Sequence, residues 1–412
     1  MIFDSELDEL EKAKTKIKVI GVGGCGKNAL NHMVENEVKG VEFVAVNTDA
    51  QDLRAAHVDH RLLIGKTKTR GQGAGGNPKV GREAALEAED DIHEMIGDTQ
   101  MVIITCGMGG GTGTGAAPII AKIAREHGCL TLAICTKPFN DEGPLRMQRA
   151  LDGIEEIKQY VDALIIIPNQ RLYLMLPPGT KMLDALKEAD NVLRQAVQGI
   201  SEIVTVPGQM NVDFADIKSA MQGKGTALFG IGVARGANRA VEAARNAINN
   251  KLLEITINGA TDAIVHITAS ENVAQDEFNQ ITNEIKASSG RKLNIRLGLA
   301  INNDLKDEIV VTVIATGYEL KAQDSEGDAI ANELADKFSN DTSTLVNDDD
   351  IDLGHDEPIA NKTDDIFSHP LTKREKRKQE KLENKRKKAL EKAQKEEPKE
   401  EEEEKSSLPS WL

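Results

Sequence analysis

Residues Gly107 to Gly115 read GMGGGTGTG, and they stand between an apolar run, Met101 to Cys106, and a helical pattern, Ala116 to Glu126. A strand that ends in a chain of glycines and then opens a helix lets backbone N–H groups converge on an anion. The helix N-terminus adds its partial positive charge. Glycines carry no Cβ to hold a diphosphate off the backbone, and Thr112 and Thr114 add two hydroxyl donors. The stretch predicts a phosphate site rather than a mobile glycine-rich turn, and it is silent about which nucleotide.

Two more glycine loops follow strands upstream. Residues 17–22, IKVIGV, read as a buried parallel strand, followed by GGCG and a helix from Asn28 to Glu35 with Ala29, Leu30 and Met33 at helical spacing. Gly21, Gly23 and Gly26 satisfy G-x-G-x-x-G, with Asp49 about twenty residues on, as a dinucleotide site has it. The same residues run G-x-x-x-x-G-K, but Asn28 stands where a P-loop needs Ser or Thr, which excludes that motif. A third loop, TRGQGAGGNPKVG at 69–81, precedes a charged helix from about Arg82 to Ile96. Loops that follow successive strands of an open parallel sheet converge beyond its carboxyl edge. A cradle of two or three loops therefore fits better than a lone dinucleotide fingerprint. At the same edge, the strand TLAICT (131–136) leads to KPFNDEGPLR with Glu142 and Arg146, and ALIIIPN (163–169) ends in Asn169.

The 412 residues, 40% hydrophobic, allow two or three domains. A net charge of −16 with 3% aromatics argues against nucleic acid as a partner. Cys25, Cys106, Cys129 and Cys135 form no C-x-x-C pair, and the eight histidines show no metal spacing. A reducing cytoplasm is expected. The start, MIFDSELDEL, lacks the features of a leader, and no apolar run approaches the ~18 residues of a membrane span, so no direct membrane insertion is expected.

Residues 180–204 carry apolar positions at alternating threes and fours, a helix of roughly 36 Å that leads out of the nucleotide domain. Val206, Pro207 and Gly208 stop it, and QMNVDFADIKSAM opens another helix, in which Asp213 and Asp216 have the spacing of an N-cap and its capping-box partner. Then come TALFGIGVA (strand), ANRAVEAARNAIN (helix), TDAIVHITA (strand), ENVAQDEFNQITNEIKASS (helix), LNIRLGLAIN (strand) and EIVVTVIATG (strand), a mixed sheet with two helices. His266 reads as a strand residue rather than a ligand. Residues 321–405 are polar and then almost wholly charged, the composition of a disordered linker. The chain closes on SLPSWL, a short apolar patch that reads as a docking peptide.

Assembled in order, these motifs resemble the FtsZ family, the bacterial relatives of tubulin that polymerise into the division ring. The resemblance runs from about Ile17 to Leu320 and rests on GVGGCGKNA, AVNTDAQ, TRGQGAGGNP, TCGMGGGTGTGAAP, KPFNDEG, IIIPNQRL, ADNVLRQAVQGI and NVDFADIKSAM. It implies an α/β fold with an N-terminal arm (1–15), a Rossmann-like GTPase domain on a parallel sheet (16–179), a central helix (180–204), a smaller mixed-sheet domain (205–320), a disordered charged linker (321–405) and a docking peptide (406–412). It implies GTP and GDP as ligands, with Mg2+ held mainly by the phosphates and no metal ligand from the protein. The nucleotide set it implies is Gly23, Gly24, Cys25, Gly26, Lys27, Asn28, Asn47, Ala74, Gly75, Gly76, Gly109, Gly110, Gly111, Thr112, Gly113, Thr114, Glu142, Arg146, Asn169, Leu186 and Asp190. Glu142 and Arg146 lie to the sugar side, and Asp190 to the guanine.

The resemblance also gives Asp213 and Asp216, aided by Asn211, a role in trans: orienting the water that attacks the nucleotide of the next subunit in a filament. It implies a GTPase active on polymerisation at a mid-cell ring, with membrane-tethering and regulator proteins recruited through Leu408, Pro409, Trp411 and Leu412. Several positions depart from the family's habit. Leu186 replaces a phenylalanine that stacks on guanine, Gln170 an aspartate, Gly76 an alanine and Cys25 a glycine, while Pro144 and Leu145 interrupt the basic residues before Arg146. Basic residues that normally follow the terminal peptide do not follow Leu412.

Overall fold

Runs of valine, isoleucine and leucine with no polar alternation are strands buried on both faces, and they build a seven-stranded sheet in this chain. The computed structural model describes residues 15–318, apart from 175, 178–179, 206–207, 250–255 and 291. The expected N-terminal arm, linker and docking peptide lie outside the described residues, apart from the arm's last position.

The first sheet uses β1 (Ile17–Val22), β2 (Glu42–Asn47), β3 (His60–Leu63), β4 (Met101–Gly107), β5 (Leu130–Lys137), β6 (Ala163–Pro168) and β7 (Gly225–Thr226). All pairs are parallel, in the order β3-β2-β1-β4-β5-β6-β7. The strand order reverses between β1 and β4, where Val22 lies opposite Cys106, so the crevice beyond these two strand ends is where a doubly wound sheet takes a ligand. Helices α1 (Gly23–Glu35), α2 (Ala50–Arg54), α3 (Pro78–Glu87), α4 (Glu89–Ile96), α5 (Thr112–Glu126) and α6 (Pro144–Lys158) connect the strands. The long helix α7 (Met182–Thr205) leads to α8 (Phe214–Met221).

A second sheet contains β8 (Leu228–Arg235), β9 (Asp262–Ala269), β10 (Asn294–Ile301) and β11 (Glu308–Thr316), ordered β10-β9-β11-β8. β10 and β9 are parallel, and β11 runs antiparallel to both of its neighbours. Helices α9 (Arg239–Ile248) and α10 (Gln275–Ser288) cover one face through Ala243, Ala247, Ile281 and Ile285. The other face belongs to α7. Leu193, Ala196, Val197 and Ile200 share one core with Ile134 and Ile165 of the first sheet and with Phe229, Ile264 and Ile314 of the second.

Several boundaries differ from the sequence reading, each for a physical reason. Helix α1 starts at Gly23 rather than Asn28, because Gly26 must sit where a Cβ would come within 2.6 Å of the Thr105 carbonyl oxygen, and this contact overrides glycine's poor helix propensity. α5 likewise begins at Thr112, four residues before the periodic run. The expected helix from Arg82 to Ile96 is two helices that break at Ala88, where Glu89, Asp90 and Asp91 supply the acidic first turn of a new one. TALFGIGVA is divided between the sheets. Gly225 and Thr226 pair with β6, Ala227 N–H donates to the Leu164 carbonyl at 2.8 Å, and the second sheet begins at Leu228. Strand β3, only four residues long and mostly polar at its start, had no signal in the sequence.

α9 lies directly on the β8 backbone, since a Cβ at Gly232 would stand 2.0 Å from the Ala243 carbonyl oxygen. Gly232→Ala is therefore expected to lower stability by about 3 kcal/mol, read from urea unfolding. A change below about 0.5 kcal/mol, within the range of an ordinary surface substitution, would contradict the close contact.

Candidate functional site

Helix N-termini leave N–H groups without intrahelical partners, and several helices here cap them with side chains. Asn77 caps α3 by accepting from Lys79 N–H at 3.1 Å, and Asp213 caps α8 by accepting from Asp216 N–H at 2.7 Å. The two helices at the switch point do not. α1 and α5 have no capping side chain and no acidic residue in their first turns, so both point bare donors and positive dipole ends into one crevice.

Glycine geometry closes the crevice. A Cβ on Gly23, which has φ +75°, would stand 3.1 Å from the Gly113 nitrogen, which sets the first and second loops in contact. One on Gly111 would stand 2.8 Å from Ala74 Cβ and 2.9 Å from the Asn77 nitrogen, so the third loop packs on the second. Gly75 and Gly110 face open space, with nothing within 4 Å of their missing Cβ atoms, and Gly24 and Gly76 are exposed. The Gly76 carbonyl accepts from Arg149 Nη1 at 2.8 Å, and the tight approach of Gly109 to the Arg146 backbone ties the start of α6 to the loop.

The polar side chains are held in place. Asn47 ends β2, and its Oδ1 accepts from Thr48 N–H at 2.8 Å while its Nδ2 donates to Asp52 Oδ2 at 2.7 Å. Lys27 is buried in α1 and donates to Asp52 Oδ1 at 2.7 Å, whereas Asn28 is exposed. Thr112 and Thr48 share a hydroxyl hydrogen bond of 2.7 Å. The buried Thr114 hydroxyl accepts from Gly109 N–H at 2.9 Å, which braces the glycine loop from within and leaves its own O–H free to donate.

On the other side of the crevice, Glu142 and Arg146 pair at 3.0 Å, and Glu142 Oε1 accepts from Phe139 N–H at 2.8 Å. Asp190 of α7 is half-buried. Burial pushes its carboxyl up to about 6, and the charge of Lys27 opposes that rise. Cys25 is pushed up to about 12, first by burial and then by the negative charge of Asp190, while the Thr136 hydroxyl at 3.8 Å works in the other direction. Leu186, one turn before Asp190, is exposed. Asn169, buried just after β6, has an Oδ1 with no partner among the described residues, an acceptor left over for a ligand.

Asn211, Asp213 and Asp216 lie elsewhere. From Asp190 to the end of α7 is about 22 Å at the helical rise, and these three follow that end. Asn211 Oδ1 accepts from Gly208 N–H at 2.5 Å, and Asp213 caps α8. Asp216 is exposed, with Arg296 Nε at 3.5 Å from its carboxylate. Asp49, the acid of the dinucleotide fingerprint, spends its side chain on capping α2. Sequence reasoning missed Asp52 and Arg149. The one available signal for Asp52 was Lys27, a basic residue in a glycine loop that needed an anion when buried.

A doubly wound sheet with three converging glycine loops and two bare helix ends defines a nucleotide-binding protein of the polyphosphate type. Residues 16–177 match the Tubulin/FtsZ family GTPase domain, and residues 225–319 match the FtsZ family C-terminal domain. Among solved structures, an empty FtsZ dimer from M. jannaschii is 42% identical, covering 76% of this chain and 91% of that one, with a TM-score of 0.69. A second M. jannaschii FtsZ, a point mutant, is also 42% identical over 76% of this chain and 95% of that one, with a TM-score of 0.71. A CetZ2 protofilament with GTPgS from Haloferax volcanii shares the fold at 20% identity, covering 79% and 99%, with a TM-score of 0.66. The chain belongs to the FtsZ family. At the level of that family its first domain is a GTPase domain, whose ligands are GTP and GDP.

Asp190 binds its proton more tightly folded than unfolded, so between pH 3.8 and about 6 the folded state carries the extra proton. The stability this group contributes falls as pH rises through that window. In nucleotide-free protein, the melting temperature of Asp190→Asn relative to the parent is expected to rise from about pH 4 to about pH 7. A constant difference across that range would contradict the burial of this carboxyl.

Proposed function

We propose that this chain is a GTP-hydrolysing filament subunit whose active centre is divided between two copies assembled head to tail. The observation that carries this reading is the position of the acids. The helices that open on the glycine crevice carry no acidic residue in their first turns, and the exposed Asp216 follows the far end of the helix that carries Asp190. A head-to-tail contact brings the crevice of one copy to the α8 end of the next, and such a contact does not close on itself.

In this reading the triphosphate lies on Gly23 to Gly26 and Gly109 to Gly113, with Gly75 and Gly76 toward its terminal phosphate. The phosphates would hold a magnesium ion, which would supply charge neutralisation. Glu142 and Arg146 face the ribose. Asp190, ionised above about pH 6, accepts from the guanine's N–H groups, with Asn169 Oδ1 as a further acceptor and Leu186 against the base. Asp213 and Asp216 of the neighbouring copy orient the attacking water, and Asn211 assists. Phosphoryl transfer depends mainly on positioning and charge, so separation of these halves stops turnover.

The CetZ2 structure is described as a GTPgS-bound protofilament and one FtsZ as a dimer, which supports self-association of this chain. We further assign residues 16–179, 180–204 and 205–320 as nucleotide domain, connecting helix and second domain, and place the filaments at the division site. Leu408, Pro409, Trp411 and Leu412 then serve as the contact for tethering and regulatory proteins.

Asp216→Ala is expected to bind GTP with the parent's affinity, lose about 100-fold or more in turnover and form longer-lived filaments. Equal turnover, measured as phosphate release at a concentration where both proteins sediment as polymer, would overturn the role of this acid.

A further inference from the structure

Behind the phosphate crevice lies a carboxylate that a polyphosphate should avoid. Asp52 Oδ2 stands 3.5 Å from where a Cβ on Gly24 would be, so an anionic group adjoins the glycine turn that faces the ligand. Both of its oxygens are taken: Oδ1 accepts from Lys27 Nζ at 2.7 Å and Oδ2 from Asn47 Nδ2 at 2.7 Å. Lys27 is buried in the first turns of α1, the helix whose N-terminus opens on the crevice. Asn47 uses its Oδ1 on the Thr48 and Asp49 N–H groups, at 2.8 and 3.3 Å, so its orientation depends on what Asp52 accepts from its amide. Two other acids near the crevice are already engaged, since Asp49 caps α2 and Glu142 is paired with Arg146, while Asp190 of α7 lies close enough for its charge to act on Cys25 and to feel that of Lys27.

Resting on the assignment of this crevice to GTP, we propose that Lys27 and Asp52 form a charge-balancing pair behind the phosphate cradle. Asp52 is a positioning residue that holds Asn47 and the end of β2 in register with α1. Lys27 cancels its charge, so that the cradle presents donors and no net negative charge to the polyphosphate. Removing Lys27 alone leaves Asp52 facing a ligand whose own charge grows with each phosphate. The penalty must therefore climb from nucleoside to diphosphate to triphosphate. A role confined to folding has no such gradient.

The test is the affinity of full-length protein for guanosine, GDP and GTP at low salt with EDTA, in the parent, Lys27→Met and the double variant Lys27→Met with Asp52→Asn. In Lys27→Met, guanosine affinity is expected to change less than about twofold, GDP affinity to fall about threefold and GTP affinity about tenfold or more. The double variant, with both charges removed, is expected to recover GTP affinity to within about threefold of the parent and keeps the comparison open should the single variant fold poorly. An equal loss for all three ligands, or a double variant as weak toward GTP as Lys27→Met, overturns the pair while leaving the GTP assignment intact. The second of these outcomes would mean that Lys27 contacts phosphate directly. A parent that shows no preference for GTP over ATP would overturn the assignment itself, and the pair with it.

Discussion

The absence of side chains where helices meet the switch point is the constraint on which this structure depends. A Cβ on Gly21 would come within 2.6 Å of the Gly26 carbonyl oxygen, one on Gly81 within 2.3 Å of the Gly111 oxygen, and one on Gly115 within 2.0 Å of the Pro78 oxygen. These contacts draw α1 onto β1 and β4, and α3 onto α5. The three loops meet because their helices are this close. Gly75 and Gly110 face open space, Gly21, Gly81 and Gly115 permit the close approach, and each group fails differently. A side chain at Gly110 would enter open space, whereas one at Gly115 would push two helices apart.

The second organising element is α7. It is 24 residues long and buries Leu193, Val197 and Ile200 in a core shared by both sheets, so it fixes the distance from Asp190 to the loop before α8. That distance, about 22 Å, keeps the acids away from the chain's own crevice. The proposed division of the site between copies follows from this separation rather than from any strain or mobile segment.

GMGGGTGTG was legible because the period changes across it: a buried run, then glycines, then helical spacing. The parallel sheet and the mixed sheet followed from similar changes. What could not be read depended on partners remote in sequence. Gly23 to Lys27 wind into a helix because of packing against Thr105, about eighty residues away, and glycine composition alone suggests a loop. The bond that Thr114 accepts from Gly109 N–H joins two residues of one loop, yet nothing in the glycine-threonine alternation announces it. Asp52 is one acid among many until Lys27 and Asn47 converge on it. Asn169 stood out only as the end of a strand and Leu186 had no local pattern of its own, so the family resemblance alone proposed them as nucleotide contacts.

The central claim, an active centre completed only by a second copy, is tested most directly by GTP turnover per molecule across a range of protein concentrations, with light scattering recorded on the same samples. The account predicts negligible turnover below a threshold concentration and a steep rise where scattering begins. A rate per molecule that is the same in dilute solution, where no polymer scatters, would contradict it.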